Sequence, residues 1–265
     1  ARWMRNKRNI NAALKRPGLI PRALFCCLKQ EIISQMNSLK IYEDKQRNIY
    51  AALYCLERSS SNTKTGDMVQ LAILPIDNKP TAALKNRQLP NCGDCALIST
   101  CYVNTVSLNA VYEQTIGQAV SAAPKRLRAP IRLGSWGDPG LLPLGLLQQL
   151  IRAAGAHTGY THLWQQIGQE YSQVLMASID HLTAKQQGLT VDQLKRLAWD
   201  KGYRTYSILQ PGEQQSAQER ECLYVSNNTQ CRYCKLCSGA GSQRSIVAPL
   251  HGPNNKQVAY KKQAA

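Results

Sequence analysis

The sequence predicts an α/β fold in which parallel strands alternate with crossover helices and two cysteine-rich loops are built to hold metal. Two observations carry that expectation. Short apolar runs bounded by turn residues alternate with stretches of helical spacing, the pattern of a parallel sheet. Seven of the ten cysteines fall into two clusters at ligand spacing. At 265 residues and 43% hydrophobic content, the chain can bury one core, or one core and a small appendage, and global disorder is excluded.

The elements follow in order. Residues 1–58 read as a basic helical N-terminal segment, because Ile32, Ile33, Met36 and Leu39 recur at three- and four-residue spacing. The run Ser59-Ser60-Ser61-Asn62 breaks that pattern and marks a boundary. Residues 59–215 then form the α/β core. In it, 68–74 (MVQLAIL) is a buried strand, 91–101 is the loop with the first cysteines, and 131–135 is a strand ending in the turn Trp136-Gly137-Asp138-Pro139-Gly140. Helical spacing over 141–154 stops at Gly155, a C-cap candidate. Strands follow near 157–161 and 174–179, a helix runs from Thr190 to Gly202, and 203–209 alternates like a strand. Residues 216–252 form a C-terminal cysteine-rich, metal-binding region that includes a last apolar run at 246–250, and 253–265 is a basic tail. Five to seven strands result, fewer than a closed eight-fold barrel needs, and no internal repeat is visible.

Charge adds a second theme. Thirty-three Lys and Arg against sixteen Asp and Glu give a net charge of +17 and a pI near 9.6. Arg2, Arg5, Lys7, Arg8, Lys15, Arg16, Arg22, Lys29 and Lys40 crowd residues 1–40 against a single acid, Glu31. Such a segment attracts polyanions, so nucleic acid is an expected partner through residues 1–40; a solvated arm with no specific role is the plain alternative. No run of about 18 apolar residues occurs, so no membrane span is expected. The stretch 18–28 is interrupted by Pro21 and Arg22 and reads as no signal peptide, which points to a reducing cytoplasm and to thiols that bind metal rather than pair.

The second cluster is the stronger signal. Cys231-Arg-Tyr-Cys234-Lys-Leu-Cys237 has the spacing that wraps an iron–sulfur cluster, and Cys222 completes four thiolates. A four-cysteine zinc site is the competing reading, because zinc accepts almost any loop between ligand pairs. The first cluster, Cys92, Cys95 and Cys101, has three thiolates. Either His157, His162 or His251 completes it, or one metal position stays open for a ligand. Cys26, Cys27 and Cys55 belong to neither cluster.

Three further stretches end strands, where open α/β sheets bind ligands. In RLGSWGDP (132–139) glycine lets the backbone approach a ligand and Asp138 can hold a cationic group; a capped tight turn is the plain reading. In GYTHLW (159–164) a histidine lies between two aromatics, by default a core arrangement. In Ser178-Ile179-Asp180-His181, Asp180 is either a helix cap or a ligand contact.

Together KTGDMVQ (64–70), Cys92-Gly-Asp-Cys95, Cys101-Tyr-Val, RLGSWGDP, GYTHLW, MASID (176–180), GYRT (202–205), the C-terminal CxxCxxC and His251-Gly252 resemble, over residues 64–252, a cysteine-rich family without assigned activity carried on phages, plasmids and other mobile elements. More distantly the chain is similar to radical S-adenosylmethionine enzymes. That resemblance implies a partial (open) parallel β/α barrel, with Cys92, Cys95 and Cys101 holding a 4Fe–4S cluster with one open iron after the first strand. It also implies S-adenosylmethionine contacts at Gly137, Asp138, Ser178 and Asp180, an auxiliary cluster on Cys222, Cys231, Cys234 and Cys237, and an electron donor as partner. The loop here is Cys-x2-Cys-x5-Cys, whereas that family's usual loop is Cys-x3-Cys-x2-Cys. The alternative is a zinc-containing accessory protein that binds nucleic acid and catalyses nothing.

Overall fold

Residues 37–54, expected to be helical, form a β-hairpin instead. The computed structural model describes residues 37–264 apart from Ser59, Ser61, Ala240 and Ser242. In it β1 (Ser38–Asp44) and β2 (Ile49–Tyr54) pair antiparallel across a turn closed by Asn48 at φ 56°. The correction has a physical reason. Leu39 and Ile41 alternate with polar neighbours, and in β2 Ile49, Ala51 and Leu53 enter one core while Tyr50 and Ala52 enter another. A segment buried on both faces with period two is a central strand. The proposed boundary after residue 58 also fails, since β2 pairs antiparallel with β3 (Val69–Pro75) along its whole length. Lys40, counted in the basic arm, is buried with its Nζ on Glu43 Oε2 at 2.7 Å and on Ile116 O at 2.9 Å. The other basic residues of the arm, and Ile32, Ile33 and Met36, lie outside the described residues.

Beyond the hairpin the fold follows the expected alternation. β3 pairs parallel with β4 (Ile131–Trp136), and β4 with the short β5 (His157–Thr158), completing a sheet of order β1-β2-β3-β4-β5. A second sheet, all parallel, has the order β6-β7-β8-β10-β9. Its strands are β6 (Tyr160–Thr161), β7 (Met176–Ile179), β8 (Thr205–Leu209), β9 (Glu219–Glu221) and β10 (Ser245–Pro249). The single strand expected at 157–161 is thus divided between the sheets at Gly159. Its N–H donates to Cys237 O at 2.7 Å, and its carbonyl accepts from Met176 N at 3.1 Å. A Cβ there would lie 2.9 Å from the Leu133 Cβ, so only glycine lets the strand bend where the second cysteine loop docks.

Helices fill the crossovers. α1 (Pro80–Asn86) and α2 (Thr105–Thr115) follow β3, and α3 (Leu144–Ala154) follows β4. α3 buries Leu147, Leu150 and Ala153 against the first sheet and ends at Gly155 with φ 70°, the expected left-handed cap. α4 (His181–Gln186) and α5 (Val191–Asp200) link β7 to β8, α5 starting with a capping box between Thr190 and Gln193. The short α6 (Leu223–Asn227) and α7 (Cys231–Cys234) precede β10, and α8 (Asn254–Ala264) ends the described chain. Among the described residues no helix is long and apolar enough to cross a membrane.

Candidate metal centres

One cavity of about 770 Å³ runs along the strands, from Gln70, Arg132, Tyr160 and Tyr206 near their starts to the residues at and beyond their C-terminal ends. Trp136, Gly137 and Asp138 reach it from the end of β4, His162 from β6, Ile208 from β8, and Leu250 and His251 from β10. Cys92, Cys95 and Cys101 line it as well. Ligand sites of open parallel sheets occupy this position because the loops there converge while the strands stay rigid.

The first cysteine loop is tied to that end of the sheet by Asn91, which is fully buried. Asn91 Nδ2 donates to Ile73 O in β3 at 3.0 Å, and Asn91 O accepts from Asp138 N at 2.7 Å. Gly137 sits beneath the same contact at φ 78°, where a Cβ would meet Ile73 O at 2.6 Å and Asn91 O at 2.9 Å. Burial first, and then the neighbouring Cys95 and Cys101, push the Cys92 thiol far above its ordinary pKa. Burial and mutual repulsion both favour the neutral thiol here.

Asp138 lines the cavity and caps its own turn, the plain reading of that stretch. Its Oδ1 accepts from Gly140 N at 2.8 Å and from Thr161 Oγ1 at 2.6 Å, and its Oδ2 accepts from His162 N at 2.7 Å. The carboxylate also clamps the start of the 162 loop, and a ligand ammonium would have to compete with three protein donors. Asp180 takes the helix-cap alternative. It is fully buried as the N-cap of α4, with Oδ1 on Thr183 N at 2.9 Å and Oδ2 on Thr183 Oγ1 at 2.7 Å, and it does not line the cavity. Gly137 and Ser178 do line it.

Of the three histidines considered as a fourth ligand, one stands beside the first cluster. His162 Nδ1 lies 3.6 Å from Asp138 Oδ2, and its Nε2 is buried with no hydrogen-bond partner. Burial opposes its protonation, but Cys95 and Asp138 outweigh burial and raise its pKa. His157 is spent on Val174 O at 2.9 Å, and His251 on Pro249 O and on Lys64 Nζ at 3.2 Å.

All four cysteines of the second cluster line one small pocket with Thr158, Tyr224 and Ile246. Cys222 is placed by its N–H on Val247 O at 2.8 Å, and α7 by Cys231 N on Lys64 O at 3.0 Å and Arg232 N on Thr65 O at 3.2 Å. Lys235 at φ 55° turns the chain after α7 so that Cys237 faces back. Burial first, then Cys231 and Cys222, push the Cys237 thiol up to about 12. Among the described residues no three His, Cys, Asp or Glu side chains converge on a single ion.

Several cavity residues escaped the sequence reading. Arg132, Tyr160 and Tyr206 form one group, with the guanidinium 4.6 Å from the Tyr160 ring centre and the two tyrosines stacked at 4.8 Å. Strand register brings them together, Gln70 opposing Arg132 and Ser178 opposing Tyr206, and no local sequence signal carries register between strands so far apart. The expected core role holds for Trp164, which is buried beside Tyr203 at 6.3 Å. No protein-family model, no curated protein and no solved structure matches the chain.

Proposed function

We propose that the protein is an iron–sulfur protein with a radical-S-adenosylmethionine-like, open parallel β/α barrel. Cys92, Cys95 and Cys101 would hold one 4Fe–4S cluster with a free iron position, and Cys222, Cys231, Cys234 and Cys237 a second cluster. The observation that carries the reading is the position of the three-cysteine loop. It lines a 770 Å³ cavity that runs along the strands and reaches the turn after β4, with Gly137 packed directly beneath it. β3, β4, the divided β5/β6, β7, β8 and β10 form a run of parallel strands, the arrangement that a partial barrel needs. When bound, such a cluster would deliver an electron to S-adenosylmethionine.

The chain's own residues would do the rest. The backbone at Gly137 and the Ser178 hydroxyl line the space that S-adenosylmethionine would occupy. Asp138 is a positioning residue that holds His162 and, through its N–H, the cysteine loop. The His162 Nε2 would give its proton to a cluster sulfur or to a bound carboxylate. An electron donor is the implied partner. A zinc-bearing, nucleic-acid-binding accessory protein is the reading to be displaced.

Titration of anaerobically reconstituted, reduced protein with S-adenosylmethionine tests the reading. A change in the cluster spectrum that disappears in Cys95→Ala supports it. An unchanged spectrum at millimolar cofactor removes it.

A further inference from the structure

The charges around the cavity do not balance. The charged side chains that line it are Lys64, Arg132 and Lys256 against the single carboxylate of Asp138, whose oxygens already serve Gly140, Thr161 and His162. The ion pairs of the described residues include none to Arg132, Lys64 or Lys256.

Two of these cations meet at one end of the cavity. Arg132 lies over the Tyr160 ring, and Lys64 Nζ is 6.0 Å from the Tyr206 ring centre, the two rings being stacked on each other. Lys64 is held there by His251 Nε2 at 3.2 Å. That histidine's pKa is lowered by burial and by Lys64, so it stays neutral and accepts from the ammonium. The Tyr160 phenol also hydrogen-bonds Arg132. Partly buried cations without a carboxylate are costly to keep, and they persist where an anion is to be received.

Leu97, Ile98, Val103 and Leu108 also line the cavity and give it an apolar surface. The volume, about 770 Å³, lies in the range of small-molecule sites and far exceeds an inorganic ion.

We infer that the Arg132–Lys64 end of the cavity is a binding site for a small organic oxyanion, a carboxylate or a phosphate monoester, whose apolar body lies along the Leu97–Leu108 wall. Arg132 supplies the planar fork suited to either group, and Lys64 a point charge beside it. The Cys231 thiol, a member of the second cluster, is the competing destination for the two cations, so a thiolate-held centre there would weaken the site.

Calorimetric titration of the full chain, as purified, tests the site with benzoate and phenyl phosphate as oxyanion probes and benzyl alcohol as the neutral counterpart. At least one oxyanion should bind at millimolar concentration or below, and benzyl alcohol at least roughly tenfold more weakly; which oxyanion wins tells carboxylate from phosphate. Arg132→Gln and Lys64→Gln should each weaken the oxyanion roughly ten- to a hundredfold, as loss of one charge-assisted hydrogen bond does. Lys64 lies on a half-exposed loop, so its variant carries the test if Arg132→Gln does not fold. Wild-type affinity in Lys64→Gln, equal binding of benzyl alcohol, or no binding of either oxyanion would overturn the inference and leave the cations as counter-charges of Cys231.

Discussion

Asp138 and Asn91 are joined by a 2.7 Å hydrogen bond from the Asp138 amide to the Asn91 carbonyl, one residue before Cys92. Through this bond the turn after β4 and the loop after β3 form a single rigid support for the first cysteines. The Asp138 side chain extends it to Thr161 and His162, so three strand ends meet at one residue.

Replacing Asp138 with Ala should therefore act on stability before it acts on any ligand. Gly140 N, Thr161 Oγ1 and His162 N lose their acceptor, and each buried donor left unpaired costs about 1–3 kcal/mol. Chemical denaturation should show a loss of about 3 kcal/mol or more. A loss below about 1 kcal/mol would mean that water replaces the carboxylate and the clamp is not structural.

Gly137→Ala should disturb the first centre and spare the second. The added methyl meets backbone atoms of Ile73 and Asn91 that cannot turn aside, at a φ of 78° that disfavours any side chain. The metal content attributable to Cys92, Cys95 and Cys101 should fall while that of the C-terminal cysteines persists. Full metal loading in this variant would show that the loop does not need the glycine beneath it.

A buried carboxylate far from the cavity gives a pH prediction. Glu219 accepts from Ser207 Oγ at 2.7 Å, Ser216 N at 3.0 Å and the buried Lys195 Nζ at 3.0 Å. Burial alone would raise its pKa, but these partners outweigh burial and hold it below the ordinary 4.5. Its stabilisation is thus complete above pH 4.5 and is lost as the pH falls through the lower folded-state value. Glu219→Gln should cost about 3 kcal/mol at neutral pH by leaving the buried Lys195 only the more distant, exposed Asp192 Oδ1 at 3.8 Å, and the gap to wild type should narrow in acid. Parallel pH–stability curves for the two proteins would refute the assignment.

Much of this fold was readable from local pattern, and the exceptions share one cause. The 68–74 strand, the Gly155 cap and the Thr190 helix start rest on period, left-handed geometry and capping chemistry, which a short window contains. The β1–β2 hairpin was missed because the upstream Ile32–Leu39 spacing masked the two-residue alternation that begins at Leu39. The two cysteine clusters were visible because their spacing is itself the signal. For Asp138 and Asp180 the sequence left cap and ligand contact open, and their hydrogen bonds show both as caps. Arg132, Lys64, Tyr160 and Tyr206 meet through register and loop docking, which sequence spacing does not encode.

Cys234→Ala should remove one whole centre and destabilise residues 222–239, because metal binding supplies folding free energy to such loops. Protease nicking confined to this region, with the first centre intact, is the expected pattern. Unchanged metal content would end the four-thiolate assignment.

Iron, zinc and acid-labile sulfide measured together on anaerobically reconstituted wild type, Cys95→Ala and Cys234→Ala test the central claim most directly. Iron and sulfide in equal amounts, with each variant losing one cluster and keeping the other, is the predicted result. Stoichiometric zinc without sulfide would contradict it.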